Sequence, residues 1–249
     1  MIPFRKLLTF LLCLVFPTRL TFWLLNLVGH NVDSKSKIGF SVIWINGVLK
    51  LKRSSRIGNF NVITASSIFI DESGYIGNFN NLKGPFEIQL DKLAALGNSN
   101  RCYRPPQGVS YGHAVLKLGE LSKITSRHRI DCTRSILIGD FSTIAGHDSQ
   151  LWTHAYYHDR TGPGRFRLDG PIVIGNNVNI GSGTIINCGI KISDGVVVGS
   201  NSTISKSLQK PGTYVSQSLR FIEMNGDQRL RFKRVEGFII CDEVYERMG

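Results

Sequence analysis

Acidic residues are scarce in this chain of 249: 18 Asp and Glu face 30 Lys and Arg, a formal net charge of +12. That imbalance predicts polyanionic company: nucleic acid, an anionic membrane face or phosphorylated substrates. Cysteine is sparse and scattered, at Cys13, Cys102, Cys132, Cys188 and Cys241, an odd count with no C-x-x-C. A disulfide framework and a thiolate zinc site are thereby disfavoured, and the pattern suits a reducing compartment with Cys188 as a small buried residue. Glycine (26) and proline (8) together stay far below the ~25–30% of low-complexity chains. A hydrophobic fraction of 42% supplies a sizeable core, so the chain is not a disordered basic tail. No uncharged apolar run reaches the roughly 20 residues of a membrane-spanning helix.

The two longest apolar runs lie at the start, Leu7 to Phe16 and Leu20 to Val28, separated by Pro17 and Arg19. Arg5 and Lys6 before the first run resemble a signal peptide, but no small-x-small cleavage site follows Phe16. Residues 1–32 read as two short apolar helices broken at Pro17. Five Lys/Arg and one acid (Asp33) give residues 1–37 a charge of +4, which suits an anionic membrane surface. The competing reading is a helical pair that caps the apolar end of the next domain.

What is abundant is a repeat. An aliphatic residue followed by glycine recurs at Ile38, Ile57, Ile76, Leu96, Leu118, Ile138 and Ile174, in steps of 19, 19, 20, 22, 20 and 36. Inside it runs a period of six: Ile174, Ile180, Ile186, Ile192, Val198 and Ile204. Six is neither a helical nor a simple strand period. It fits a three-sided solenoid of about 18 residues per turn, one inward aliphatic per side, stacked at about 4.8 Å. Gly or Asn is expected at the corners, where a positive φ is needed. The step of 36 implies one whole coil near residue 156 whose aliphatic is missing. Breaks of a local rule tend to be functional.

The motifs Ile138-Gly-Asp-Phe-Ser, Leu151-Trp-Thr-His-Ala-Tyr-Tyr-His-Asp, Pro171 to Asn187, Val198 to Lys206 and Tyr214 to Ile222 carry a resemblance. This stretch resembles the hexapeptide-repeat acyltransferases, nearest the maltose/galactoside type and the O-acetyltransferases of capsule and O-antigen sugars. The resemblance implies an all-β left-handed parallel β-helix over residues 33–222, with an active-site loop at 152–171. The apolar helical segment 1–32 precedes it. A short C-terminal extension, 223–249, follows and reads as a strand and then an amphipathic helix. Homotrimers with sites between subunits are also implied.

Acyl transfer to a hydroxyl needs a base, oxyanion donors and a carrier groove. Four of six histidines lie between 128 and 158, and His154 and His158 share the broken coil with Trp152, Tyr156 and Tyr157. The family carries its base there, which makes His154 the first candidate and His158 the second, with Asp148 to orient the ring and His147 as a supporting group. Trp152 is expected to stack on a sugar. Arg160, Arg165 and Arg167, in a Gly/Pro-rich loop, are expected to grip an anionic sugar or carrier phosphate. By resemblance, acetyl-CoA lies along the last coils near Ser182 and Ser200, with Lys206 and Arg220 on its phosphates. The sequence departs from the family at 216–220, Ser-Gln-Ser-Leu-Arg. His147, His154 and His158 lack the spacing of the γ-class carbonic anhydrases, so no metal is expected.

The leading reading is acetyl-CoA-dependent O-acetylation of a bacterial surface polysaccharide or its lipid-linked precursor. The enzyme would be cytoplasmic, or peripheral on the inner membrane face through residues 1–30. The alternatives are N-acetylation of an amino sugar nucleotide and a non-catalytic scaffold. Scattered basic residues and the lack of a recognition motif argue against nucleic acid.

Overall fold

A computed structural model describes residues 2–14, 19–158, 160–216, 220–222, 232–234 and 245–247. Within them the chain winds into a parallel β-solenoid with three faces. The first face has eight strands, from Asn31–Val32 to Lys191–Ile192; the third has eight, from Val42–Ile45 to Thr203–Ile204. The second runs from Lys37–Ile38 to Gly212–Val215 and ends on an antiparallel strand, Arg220–Ile222, which makes ten. The bends between first and second, second and third, and third and first faces are here the first, second and third corners.

Inward aliphatics stack in columns because each turn presents the same residue type to the same place. On the second face Ile38, Ile57, Ile76, Leu96, Ile124, Ile144, Ile180 and Val198 pair in series. All are buried and belong to one continuous core.

Two expectations are corrected by this register. The expected Gly or Asn does take a positive φ at several late corners, among them Asn177 (54°), Gly183 (69°), Gly189 (74°) and Gly195 (69°), but the glycine after the aliphatic does not supply it. That conformation falls two residues later, at Phe60 (57°), Phe79 (58°), Phe141 (58°) and Asn201 (55°). The glycine is required by close stacking: a Cβ on Gly58 would lie 2.5 Å from the Gly77 carbonyl oxygen and from Asn78 Oδ1. Nor does the step of 36 hide a coil. Ile138 pairs directly with Ile174 and Leu151 with Ile186, so the turn closes on itself. The surplus leaves the third corner as an antiparallel hairpin, His154–His158 with Arg165–Asp169. Gly170 N donates to the Thr153 carbonyl (2.9 Å) and closes its base.

A second excursion had no counterpart in the repeat reading. Leu96 pairs with Ile124, 28 residues on, because residues 104–114 also leave the third corner, two turns before the hairpin. The aliphatic-glycine unit marks the second face up to Leu96 and the first face from Leu118 onward, which disguised this step as 22.

Helices α1 (Ile2–Leu14) and α2 (Arg19–Leu27) close the N-terminal end of the core, burying Cys13, Phe22 and Leu25 in it. Phe10 meets Trp44 edge-on at 6.0 Å. The expected break at Pro17 lies outside the described residues. Buried His30 is satisfied on both nitrogens: Leu49 N donates to Nδ1 (3.1 Å) and Nε2–H donates to Thr9 Oγ1 (2.7 Å). Burial and the nearby Arg5 lower its pKa to about 4. The capping reading of these helices is therefore the observed packing. At the other end, Phe232–Arg234 pairs antiparallel with Tyr245–Arg247, so 245–247 is strand where a helix was expected. The rest of 223–249 lies outside the described residues.

Candidate active site

His154 stands at the base of the hairpin, on the third corner. Its Nδ1 lies 2.9 Å from Asp131 Oδ2, on the preceding turn. Asp131 is buried, 5% exposed, yet well served. It accepts from Thr153 N (2.9 Å), Thr153 Oγ1 (2.6 Å), Thr133 N (3.2 Å) and Thr133 Oγ1 (2.7 Å). Burial pushes this carboxyl up, but the bonds from Thr153, Thr133 and His154 outweigh burial and hold it below its ordinary value. An ionised carboxylate only accepts, so Nδ1 carries the proton of a neutral His154 and Nε2 is left with a lone pair. The His154 side chain is 27% exposed. Trp152 and Tyr156 flank the ring edge-on, at 6.3 and 6.0 Å. A ring held through one nitrogen, with a lone pair on the other, can take a proton.

The orienting carboxylate is thus Asp131, not Asp148. Asp148 sits at the second corner, where its Oδ2 is 2.7 Å from His147 Nδ1, and the His147 bond, opposed by slight desolvation, lowers its pKa. Both side chains are exposed. A corner lies at each end of the short strand Gln150–Leu151, and that separates this pair from His154. The signal that finds Asp131 is register: Ile130 pairs with Leu151, which puts Asp131 directly beneath Trp152-Thr153-His154. A search along the sequence near His154 misses it.

The other candidates divide between two corners. His158 is exposed, four residues up the hairpin strand and so about 13 Å from His154. Trp152 is 38% exposed beside His154. Arg167 does not stand open to a ligand: Asp169 pairs with it through Nε (2.8 Å) and Nη2 (2.9 Å), and its Nη1 donates to the Val109 carbonyl (2.8 Å). The Arg165 and Arg220 side chains lie outside the described residues. Ser182 and Ser200 stack at the second corner, where Asn201 N donates to the Ser182 carbonyl (2.8 Å) and Ser182 Oγ to the His147 carbonyl (2.8 Å). Lys206 is exposed on the third corner, two turns beyond His154. Among the described residues no three His, Cys, Asp or Glu converge as metal ligands.

His128 is the contrasting histidine. It is fully buried: Ser149 N donates to Nδ1 (3.1 Å), and Nε2–H donates to Thr125 Oγ1 (3.0 Å). Burial lowers its pKa to about 4.

No family model matches the chain. Over 123 residues it is 31% identical to galactoside O-acetyltransferase of Escherichia coli (strain K12), a stretch that covers 49% of this chain and 60% of that protein. A hexapeptide-repeat-containing acetyltransferase of Vibrio cholerae is 23% identical, with 56% of this chain and 74% of that chain covered at a TM-score of 0.47. A maltose O-acetyltransferase of Clostridium difficile 630 is 25% identical, covering 54% and 67% at a TM-score of 0.41. Over about half its length the chain is similar in sequence to galactoside O-acetyltransferase, of which it spans less than two thirds, and its structure is a parallel β-solenoid.

Proposed function

We propose that this protein transfers an acetyl group from acetyl-CoA to a hydroxyl of a saccharide, with His154 as general base. The observation that carries the reading is the Asp131–His154 pair at 2.9 Å beside Trp152 at the base of the hairpin. Nε2 takes the proton as the hydroxyl oxygen attacks the thioester carbonyl. The imidazolium formed is stabilised by ionised Asp131. As the tetrahedral adduct collapses, the C–S bond breaks and Nε2–H returns its proton to the departing thiolate. Lys206, two turns on at the same corner, is placed for a carrier phosphate. The acceptor class is a bacterial surface polysaccharide or its lipid-linked precursor, and the working form a homotrimer.

The test is coenzyme A release from acetyl-CoA over a saccharide panel, by the parent, His154→Ala and His158→Ala. The parent turns over and His154→Ala loses about 10²–10⁴ in rate. Turnover untouched by both substitutions removes the base assignment. No release with any saccharide favours a scaffold, and release only with amino sugar nucleotides favours N-acetylation.

The peripheral-membrane reading has its own support. Phe4, Leu7 and Leu11 on α1, and Leu20, Trp23 and Leu27 on α2, are 45–72% exposed, while the opposite sides seal the core. Neither helix carries an acid. Beside α2 a groove of about 790 Å3 holds Lys37 and Arg56 and no acid. Among the described residues no helix is long and apolar enough to cross a membrane. These features favour an apolar face lying in an anionic leaflet. Co-sedimentation with phosphatidylglycerol vesicles, lost in Leu20→Glu/Trp23→Glu, is the expected outcome. Equal recovery of both proteins in the supernatant ends this reading.

A further inference from the structure

The two excursions leave the third corner on nearby turns and are tied to one another. Arg104, fully buried, holds residues 105–113 in place. Its Nε donates to Ser110 Oγ (3.1 Å), Nη1 to the Pro85 carbonyl (3.1 Å), and Nη2 to the carbonyls of Tyr111 (3.1 Å) and Gly112 (2.7 Å). Arg167 of the hairpin reaches the same loop at Val109. Between them stands Arg134, whose backbone N donates to Thr153 Oγ1 (2.9 Å), next to His154. Its guanidinium lies 4.8 Å from the centre of the Tyr111 ring and donates once, to the Tyr111 carbonyl (3.3 Å).

Arg104 and Arg134 are close enough that burial and Arg134 together lower the Arg104 pKa. Among the described residues neither forms an ion pair with a carboxylate. Two neighbouring guanidiniums without a counter-charge are costly unless an anion completes them. Arg104 is consumed by four acceptors, three inside the loop and the Pro85 carbonyl on the preceding turn. Arg134 is half-buried and keeps most of its donors.

Position decides which of the two ligands carries the anion. Along the third corner the order by turn is Arg104, Arg134, His154, then Lys206. If acetyl-CoA occupies the late turns near Lys206, as the proposed function has it, the acceptor hydroxyl approaches His154 from the earlier side. That side is walled by Arg134, Tyr111 and the hairpin. We propose that Arg134, backed by Tyr111, binds an anionic group, carboxylate or phosphate, on the saccharide acceptor, so that the protein selects acidic glycans. The inference rests on the acetyl-transfer reading only for the side on which the acceptor enters.

Calorimetric binding in the presence of coenzyme A tests it without requiring turnover. The probes are a hexuronate oligosaccharide, its carboxyl-reduced neutral counterpart and a glycosyl phosphate, which separate the two anion sources. The parent is expected to bind one anionic probe at least tenfold more tightly than the neutral one. Arg134→Gln is expected to lose about tenfold to a hundredfold for that probe, the scale of one or two charge-assisted hydrogen bonds, with acetyl-CoA affinity unchanged. Tyr111→Phe, which keeps the ring, retains the preference. Equal binding of neutral and anionic probes, binding of none, or a loss confined to acetyl-CoA in Arg134→Gln overturns the proposal. Anionic preference in a protein that releases no coenzyme A overturns the acetyl-transfer reading and leaves this one standing.

Discussion

At the second corner, polar side chains stack inside the solenoid, one per turn. Asn80 N donates to Asn61 Oδ1 (2.8 Å), Asn100 N to Asn80 Oδ1 (2.8 Å), His128 N to Asn100 Oδ1 (3.0 Å) and Ser149 N to His128 Nδ1 (3.1 Å). The side-chain amides of Asn61 and Asn80 also bond both the preceding and the following turn, and His128 uses its other nitrogen on Thr125. At the third corner the chain leaves the solenoid twice, and the buried Asp131, which also accepts from Thr133 and Thr153, holds a partly exposed histidine by one nitrogen. The two corners use the same residue type for opposite ends. A histidine satisfied on both nitrogens serves the backbone, and one held on a single nitrogen is available for chemistry.

The largest expected contrast is between the two histidines. His154→Ala lowers kcat by about 10²–10⁴ with thermal stability nearly unchanged, read by turnover and calorimetry on one sample. His128→Ala leaves Ser149 N unpaired and lowers stability by about 1–3 kcal/mol, while folded protein keeps its kcat. The reverse pattern would erase the distinction between the corners.

Acid comes next. His30 and His128 both titrate at about 4 in the folded state, below the ordinary 6.5. The unfolded chain therefore binds more protons between those values. Their contribution is intact above pH 6.5 and is lost as pH falls toward 4, by about 3 kcal/mol each. Urea titrations at pH 7 and pH 4.5 measure it, and His128→Asn should flatten part of the slope.

Asp131→Asn is expected to cost about tenfold to a hundredfold in kcat, since an amide no longer fixes the Nδ1–H tautomer. Asp148→Asn gives the smallest effect, under twofold in kcat, because its partner is His147. A large loss in Asp148→Asn would bring the second corner into the chemistry.

Much of the fold is legible in the residues. The hexads from Ile174 to Ile204 are buried columns, and the earlier aliphatic-glycine units stack in register. The site is legible only as a neighbourhood, Trp152 to His158, because there the inward pattern stops. Arg167 shows why type and loop position are not enough: three partners, Asp169, Tyr156 and Val109, turn an expected ligand grip into a brace.

The period, the aliphatic columns and the place where they fail are already set by the order of residues, since an inward position recurs locally whatever the rest of the chain does. Tertiary structure alone decided that the failure is a hairpin rather than a coil. It also decided that the glycines serve close stacking and that Asp131 meets His154 across 23 residues. Those outcomes depend on which turn lies on which, and loop lengths and hydrogen-bond register between turns set that.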